Sequence, residues 1–340
     1  MTRIPPRTLV VAPQWIGDAV MSQPLMAALA ARGEELTVAA LPWVAPVYRA
    51  MPEVHEVIEL PFAHGRLDLR VRWRLGRAWR GRFDKATVLP NSMKAALLPW
   101  FAGIPVRVGY AGEGRIGLLN RRLPNPAGRP PMVPTYAALA RAPVEPDASP
   151  RLEVPQLAIE TAARAAGVEP HGYWVFAPGA EYGPSKRWPP ERYAEVARSL
   201  HDATAMPVLL LGSPGEAALC REVSEAAPGA CRVLAGTTSL GDAIALIAGA
   251  RGVVSNDSGL MHVAAAFRIP QVAVFGSTSP EHTPPLSPRA RVIWLRGELP
   301  LDCIPCFERV CRYGHTLCLN AITPARVDAA LQDALEAPAA

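Results

Sequence analysis

Lysine is nearly absent from this chain. It occurs three times in 340 residues, at Lys85, Lys94 and Lys186, while the 35 basic residues in all leave arginine to supply the rest of the +5 net charge. An Ala-, Arg- and Pro-rich composition reads as GC-rich codon usage, so each surviving lysine invites a question. Long apolar runs are also missing. Nothing approaches the roughly 18–20 uninterrupted apolar residues of a membrane span, and the N-terminal MTRIPPRTLVVAPQWIGD lacks the apolar segment of a signal peptide. The expected location is therefore cytoplasmic. Cysteine is too sparse, at six residues, for a secreted disulfide scaffold. With 50% hydrophobic and 19% charged residues, the chain is not disordered.

Several catalytic signatures fail. There is no G-x-x-x-x-G-K-[ST], no G-x-S-x-G, no H-E-x-x-H and no D-x-D. GEGRIG, Gly112 to Gly117, matches a dinucleotide fingerprint, but the LLNRRLPNPAGRPP that follows cannot be the long helix the fingerprint needs. A nicotinamide site is excluded on that ground.

What is present is alternation. Short aliphatic runs (Thr8–Ala12, Leu36–Ala40, Val54–Leu60, Ala86–Leu89, Val106–Tyr110) are separated by segments of helical period (Ala19–Ala31, Arg66–Arg82, Met93–Ala102). The pattern restarts with Tyr173–Ala177 and runs to a last helix near Pro324–Leu335. Strand–helix alternation of this kind predicts parallel α/β sheets. The Pro-rich stretch 120–155 lies between the two series and places a domain boundary between about 145 and 170. Two α/β domains meeting across a cleft would hold ligands beyond the carboxyl ends of their strands.

Five motifs carry chemistry. In QWIGDAVMS, Asp18 stands ahead of a helix just past the first strand. Spacing alone favours a helix cap over a general base. In PGAEYGPSKRWPPERY, a strand runs into a Gly/Pro loop that carries Lys186 before a helix opens, a natural anion site against the plain reading of a solvated lysine. In SNDSGLMHVAAAF, a strand ends in Asn256, Asp257, Ser258 and Gly259 and a helix with His262 begins. Such a turn presents backbone N–H groups to one point, and Asp257 suits a sugar hydroxyl, although a lone His262 is more often structural. In RLDLRVRWRLGRAWRGRF, Leu67, Val71, Leu75 and Trp79 form an apolar stripe, with Arg66, Arg70, Arg74 and Arg77 beside it. That segment suits an anionic acceptor or a membrane surface, and equally an ordinary core-packing helix. Finally, Cys303, Cys306, Cys311 and Cys318 follow C-x2-C-x4-C-x6-C with His315 between the last two. The spacing suggests a structural zinc site, the alternative being reduced thiols in a loop.

Taken together, GDAVMSQPLMAAL, PNSMKAALLPWFAGIPVRVGY, PGAEYGPSKRWP and SNDSGLMHVAAAF resemble the ADP-heptose:lipopolysaccharide heptosyltransferases of glycosyltransferase family 9, the type II enzymes most of all. The resemblance runs from about residue 8 to 335. It implies a glycosyltransferase-B fold of two Rossmann-like domains facing a cleft. Residues 1–165 would form the acceptor domain, 166–320 the ADP-heptose domain, and 321–340 a helix crossing back toward the first. It implies that Asp18 is the catalytic base and that Lys186 holds the phosphates. Donor binding would fall to Lys186, Glu216, Asp257, Ser258, Gly259 and His262, with Glu216 on the adenosine ribose. Arg66, Arg70 and Arg74 become candidates for the acceptor. Asn120-Arg121-Arg122 departs from the family pattern, which has an acidic residue after LLN. The implied reaction is inverting transfer of L-glycero-D-manno-heptose from ADP-heptose to a heptose of the lipopolysaccharide inner core, without a catalytic metal. The enzyme would be a monomer that meets a lipid A–core acceptor at the inner face of the inner membrane and binds no nucleic acid. Alternatives are heptosyltransferase I or another member of the family, a nucleotide-sugar epimerase of similar architecture, and a membrane-surface binding protein without donor turnover.

Overall fold

The computed structural model describes residues 5–62, 66–141 and 148–338. The chain divides into two compact units, Met1–Glu153 and Val154–Ala340. The APVEP segment of the Pro-rich stretch lies outside the described residues.

The first unit holds strands β1 (Arg7–Val11), β2 (Glu35–Ala40), β3 (Val54–Glu59), β4 (Lys85–Val88), β5 (Val106–Tyr110) and β6 (Arg121–Leu123). They form one sheet in the order β3-β2-β1-β4-β5-β6, with every pairing parallel. The second unit holds β7 (Trp174–Ala177), β8 (Val208–Leu210), β9 (Cys231–Val233), β10 (Gly252–Asn256), β11 (Gln271–Phe275) and β12 (Ala290–Trp294). Their order is β12-β11-β10-β7-β8-β9, again all parallel. Counted from its own first strand, each sheet therefore repeats the same doubly wound arrangement. The expected α/β class with two Rossmann-like sheets is the one observed.

The central strands are apolar on both faces because helices cover both. WVFA, GVVSN and QVAVF are buried at every position, as parallel sheets require. In the first unit, Leu9, Val11, Val88, Leu98 and Trp79 share one core. In the second, Trp174, Phe176, Trp188, Tyr193 and Leu331 do so. Each sheet has one switch point, where successive connections leave in opposite directions: β1 beside β4 in the first unit and β7 beside β10 in the second. Ligands of open α/β sheets sit beyond the strand ends at such points.

Several elements depart from the sequence reading. The helix expected over Ala19–Ala31 is two helices, Ile16–Met21 and Gln23–Ala30. Pro24 near the start of the second supplies no N–H, which favours a fresh start there, and the Ser22 hydroxyl is turned to Ala19 O at 2.7 Å and Tyr48 Oη at 3.0 Å. The arginine helix covers only Leu69–Ala78, because Asp68 ahead of it takes a left-handed conformation (φ 43°). The three-residue edge strand β6 and the helices Ala45–Arg49 and Gln156–Ala165 had no clear pattern in the sequence. The last of these packs against the helix Leu240–Ala248 of the second unit, and the division between the units falls at 153/154. The C-terminal helix Pro324–Glu336 buries Val327, Leu331 and Ala334 against the helix Pro190–Thr204 and strands β10 to β12 of its own unit.

GEGRIG is no cofactor turn. It wraps the fully buried Arg115, whose guanidinium donates to Pro90 O at 2.7 Å, to Asn91 Oδ1 at 3.2 Å and to Tyr110 O, and the edge strand β6 follows it. Asn120, the first residue of the Asn120-Arg121-Arg122 segment that departs from the family pattern, ties β5 to β6: its Oδ1 accepts from Arg107 N at 2.9 Å and its Nδ2 donates to Pro105 O at 2.7 Å.

Candidate functional site

In the second unit the motifs after β7 and β10 come together at the switch point. Asn256, the last residue of β10, is fully buried. Its amide donates to Pro178 O at 2.6 Å and its carbonyl accepts from Trp188 N at 3.0 Å, so one side chain clips both ends of the Lys186 loop. Lys186 closes a short 3-10 turn, Pro184–Lys186, and its Nζ lies 2.5 Å from Asp257 Oδ2. The two side chains are only 14% and 6% exposed. Thr278 Oγ1, from the loop after β11, donates to the same carboxylate oxygen at 2.6 Å. The Tyr182 ring lies 4.9 Å from the ammonium.

Ser258 caps the helix Gly259–Ala266 without a side-chain cap bond, and its buried hydroxyl has no partner among the described residues. The first turn of that helix adds outward-facing N–H groups and the positive end of its dipole. His262 is 5% exposed. Burial pulls its imidazole down to about 4, with Asp257 opposing and Lys186 assisting. At neutral pH it is therefore an uncharged hydrogen-bonding group, not a second cation. Glu216 sits in the turn after β8. Its Oε2 accepts from Ser213 N at 2.8 Å and Ser213 Oγ at 2.9 Å, a capping box. The carboxyl group lies against Gly179, where an added Cβ would stand 2.1 Å from Oε1. Only a glycine lets the loop after β7 approach this carboxylate so closely. A cation, a helix N-terminus and an unpaired hydroxyl together suit a diphosphate, and the neighbouring carboxylate suits vicinal hydroxyls.

In the first unit, Asp18 does not cap its helix. Trp15 holds the cap position without a side-chain bond, and Asp18 is the third helical residue, an acidic group in the first turn that the helix dipole favours. Tyr136, 6% exposed, hydrogen-bonds the Asp18 carboxylate through its side chain. Burial, then the negative Asp18, push the Tyr136 phenol well above its usual value, so it stays protonated. Tyr48, whose hydroxyl bonds Ser22 Oγ at 3.0 Å, also feels the Asp18 charge.

The arginine segment only partly matches its reading. Val71, Leu75 and Trp79 turn toward the core, but Leu67 lies outside the helix and is exposed. Arg66 also precedes the helix and pairs with Asp68 at 3.7 Å, so it does not share a helical face with Arg70 and Arg74, which are exposed. Arg72 was missed. Its buried guanidinium covers the Phe62 ring at 3.8 Å and donates to Leu67 O at 2.7 Å and Lys94 O at 3.2 Å. Gly76 allows close packing: a Cβ there would stand 2.4 Å from that of Phe101 on the helix Met93–Phe101. Of the three lysines, Lys85 is structural, bonding both Glu34 oxygens at 2.9 and 3.0 Å.

Cys303, Cys306, Cys311, Cys318 and His315 line one small cavity of about 20 Å³. Burial, then the other three sulfurs, push the Cys318 thiol up to about 11. Backbone N–H groups of Thr316, Tyr313, Gly314 and His315 hold the Cys311 thiol below its usual value. Among the described residues no three Cys, His, Asp or Glu side chains already stand in a ligating arrangement. No helix among them is long and apolar enough to cross a membrane.

Comparison with known proteins decides the family. The profile of Glycosyltransferase family 9 (heptosyltransferase) matches residues 72–317. The chain belongs to glycosyltransferase family 9. It is 43% identical over 307 residues to lipopolysaccharide heptosyltransferase 2 of Escherichia coli, covering 85% of this chain and 88% of that one. It is 40% identical over 313 residues to lipooligosaccharide heptosyltransferase 2 of Haemophilus influenzae, covering 86% and 89%. The solved structure of E. coli ADP-heptose LPS heptosyltransferase II superposes with a TM-score of 0.84 at 39% identity, covering 97% of this chain and 98% of that one. The family resemblance and the glycosyltransferase-B class read from the four sequence blocks thus hold for this enzyme.

Proposed function

We propose that this glycosyltransferase moves L-glycero-D-manno-heptose from ADP-heptose to a heptose of the lipopolysaccharide inner core. The observation that carries the donor side is the buried Lys186–Asp257–Thr278 cluster at the second switch point, with the Ser258 hydroxyl and the helix N-terminus beside it. The similarity to heptosyltransferase 2 proteins supports the choice of sugar.

In this reading the two units divide the work. In the first, Asp18 takes the proton of the acceptor hydroxyl as that oxygen attacks the anomeric carbon from the face opposite ADP. One displacement inverts the configuration. Tyr136 donates to the carboxylate and fixes it. In the second, Lys186 and the N–H groups of the helix Gly259–Ala266 stabilise the charge that grows on the departing diphosphate as the C–O bond breaks. Glu216 accepts from the ribose hydroxyls, and neutral His262 contributes a hydrogen bond. Because the sequence has no D-x-D pair, the chemistry is assigned to protein groups without a catalytic metal. Arg70 and Arg74 supply positive charge to a phosphorylated acceptor held at the inner face of the membrane.

The deciding experiment incubates the purified protein with ADP-heptose and a series of core-truncated lipopolysaccharide acceptors, read by mass. The expected product carries one added heptosyl residue, only on acceptors that already bear a heptose. Transfer to acceptors lacking heptose would shift the assignment to a type I activity. Release of free or altered sugar without an acceptor would replace it by an epimerase. EDTA added to protein free of any cysteine-bound metal should leave the transfer rate unchanged.

A further inference from the structure

The donor chemistry leaves the cysteine-rich loop 303–318 unexplained. This loop braces the Lys186 loop from below. Phe307 O accepts from the Tyr182 hydroxyl, Arg309 O accepts from Ser185 N at 3.2 Å, and Glu308 O accepts from Ser185 Oγ. Gly183 lies so close to Arg309 that an added Cβ would stand 2.5 Å from its carbonyl oxygen. Ser185 Oγ also meets Ser277 Oγ at 3.0 Å, and Ser277 O accepts from Phe307 N at 2.7 Å. Lys186 is the next residue. The position of its ammonium therefore depends on a segment that has almost no regular structure of its own, only the four-residue helix Leu317–Asn320.

We propose that Cys303, Cys306, Cys311 and Cys318 bind one thiophilic divalent cation, and that this centre fixes the brace under Lys186. All four cysteines line a single cavity of about 20 Å³, together with Ser185 and Ser277 of the brace itself. Cysteine ligates such ions as the thiolate. Four thiols select a soft, tetrahedral ion of the zinc or ferrous class. His315 is not needed as a ligand, since its Nδ1 accepts from Leu317 N at 3.0 Å and its ring stacks on Tyr313. Binding turns the side chains inward about their own χ angles. Each thiol gives up a proton to solvent as its sulfur bonds the cation, leaving a centre of net charge −2. Arg312, which also lines the cavity, offsets part of that charge. The other two cysteines, Cys220 and Cys231, do not line the cavity and take no part.

The test is metal analysis of the full chain, expressed with zinc and iron both available and freed of loosely bound ions on a chelating resin. Roughly one equivalent of zinc or iron per chain is expected for a four-thiolate site, and less than half an equivalent overturns the proposal. Which metal is found identifies the ion. The double variant Cys303→Ser/Cys306→Ser and the variant Cys318→Ser should lose it, whereas Cys231→Ser keeps it. Retention by the cluster variants places the metal elsewhere and overturns the assignment. A second measurement covers variants that fail to fold. In the wild-type protein, a mercurial that captures thiols should release the metal into a chromogenic chelator as the cluster reacts. Complete thiol reaction without metal release overturns the site.

The brace is tested by titrating ADP into metal-free Cys318→Ser protein. This arm alone rests on the donor role of Lys186. Weakening of about tenfold, or about 1.4 kcal/mol, is expected. Loss of metal with unchanged ADP affinity overturns the brace and leaves the metal site standing. Metal content is independent of the proposed activity, so the two readings fail separately.

Discussion

Lys186 Nζ lies 2.5 Å from Asp257 Oδ2, and Thr278 Oγ1 donates to that same oxygen at 2.6 Å. The ammonium is thus held at the strand ends before any donor arrives. A cation that must shed water and search for its place contributes less to a transition state than one already aimed. The same contact places a carboxylate beside the position proposed for a diphosphate, so its effect depends on the lysine that neutralises it.

Removing the lysine should therefore do more than delete a charge. Lys186→Ala leaves Asp257 buried and facing the leaving group. Turnover should fall by about 10²-fold or more, the scale of losing one well-placed electrostatic partner, and ADP affinity should fall with it. Asp257→Asn leaves a largely buried ammonium without its counter-charge. That should lower stability by about 3 kcal/mol, in the range for breaking a buried pair. The double variant Lys186→Met/Asp257→Asn should recover much of the lost stability and none of the activity. Equilibrium unfolding of all three proteins, beside ADP titration, separates these effects, and an activity of Lys186→Ala near that of the wild type would refute the assignment.

Lys186 and Asp257 were legible in the sequence for a physical reason. Both follow short buried strands, and strand ends at a switch point are where such sheets place ligands. The rarity of lysine drew attention to one of them. Thr278 and Tyr136 were not legible, because each reaches its carboxylate from an element remote in sequence: 21 residues beyond Asp257 in one case and from the helix Met132–Ala137 in the other. Arg66 was misplaced because helical spacing was extended through Asp68, whose left-handed backbone starts the helix late. The break at Ser22 was hidden for a similar reason, since Pro24 fits the first turn of a new helix as well as it interrupts an old one. The α/β class was easier, because short buried strands alternate with helices along both halves, as in GVVSN and QVAVF of the second.

Asp18 is the candidate base, and Asn at this position keeps its size while removing its basicity. Asp18→Asn should cut turnover by about 10²-fold or more and leave ADP binding at its wild-type value. Tyr136→Phe should act more mildly, lowering turnover with ADP affinity unchanged, because the phenol hydrogen-bonds and positions the carboxylate but does not itself take the proton. If Asp18→Asn turned over normally, the proton would have to go elsewhere.

His262 gives the fold a pH dependence with a definite sign. The unfolded ring takes its proton near pH 6.5, whereas burial lowers the folded value to about 4. Between those limits the unfolded state binds more protons, so stability is fully present above pH 6.5 and is lost as pH falls toward 4. His262→Gln should remove this component. Urea midpoints of both proteins at about pH 7 and about pH 4.5 check it, since carboxylate titration elsewhere is common to the two. Parallel losses in the two proteins would mean that His262 does not titrate in this window.

Arg70 and Arg74 lie exposed on the helix Leu69–Ala78. Replacing both by Ala should change stability by no more than about 0.5 kcal/mol. The expected effect is a raised KM for the acceptor with ADP affinity unchanged, and reduced binding to vesicles rich in anionic lipid. A variant with wild-type acceptor kinetics would mean that this face serves solubility alone.

Gly179 offers the sharpest test of the Glu216 site, because the substitution adds one carbon and no charge. A Cβ there would stand 2.1 Å from Oε1 and 2.2 Å from Cδ of Glu216. The carboxyl group would have to swing away. Its other oxygen is held by Ser213 N and Oγ at 2.8 and 2.9 Å, so the movement breaks the capping box as well. Hydrogen bonds to a charged group are worth about 1.5–3 kcal/mol each. Gly179→Ala should therefore weaken ADP binding by about tenfold or more, and so should Glu216→Gln. If both act by displacing or neutralising one carboxylate, their effects should overlap, and the double variant should be little worse than either alone. Strict additivity in ADP affinity would show that Gly179 and Glu216 act on the nucleotide independently, and would remove the geometric argument for a ribose contact at Glu216.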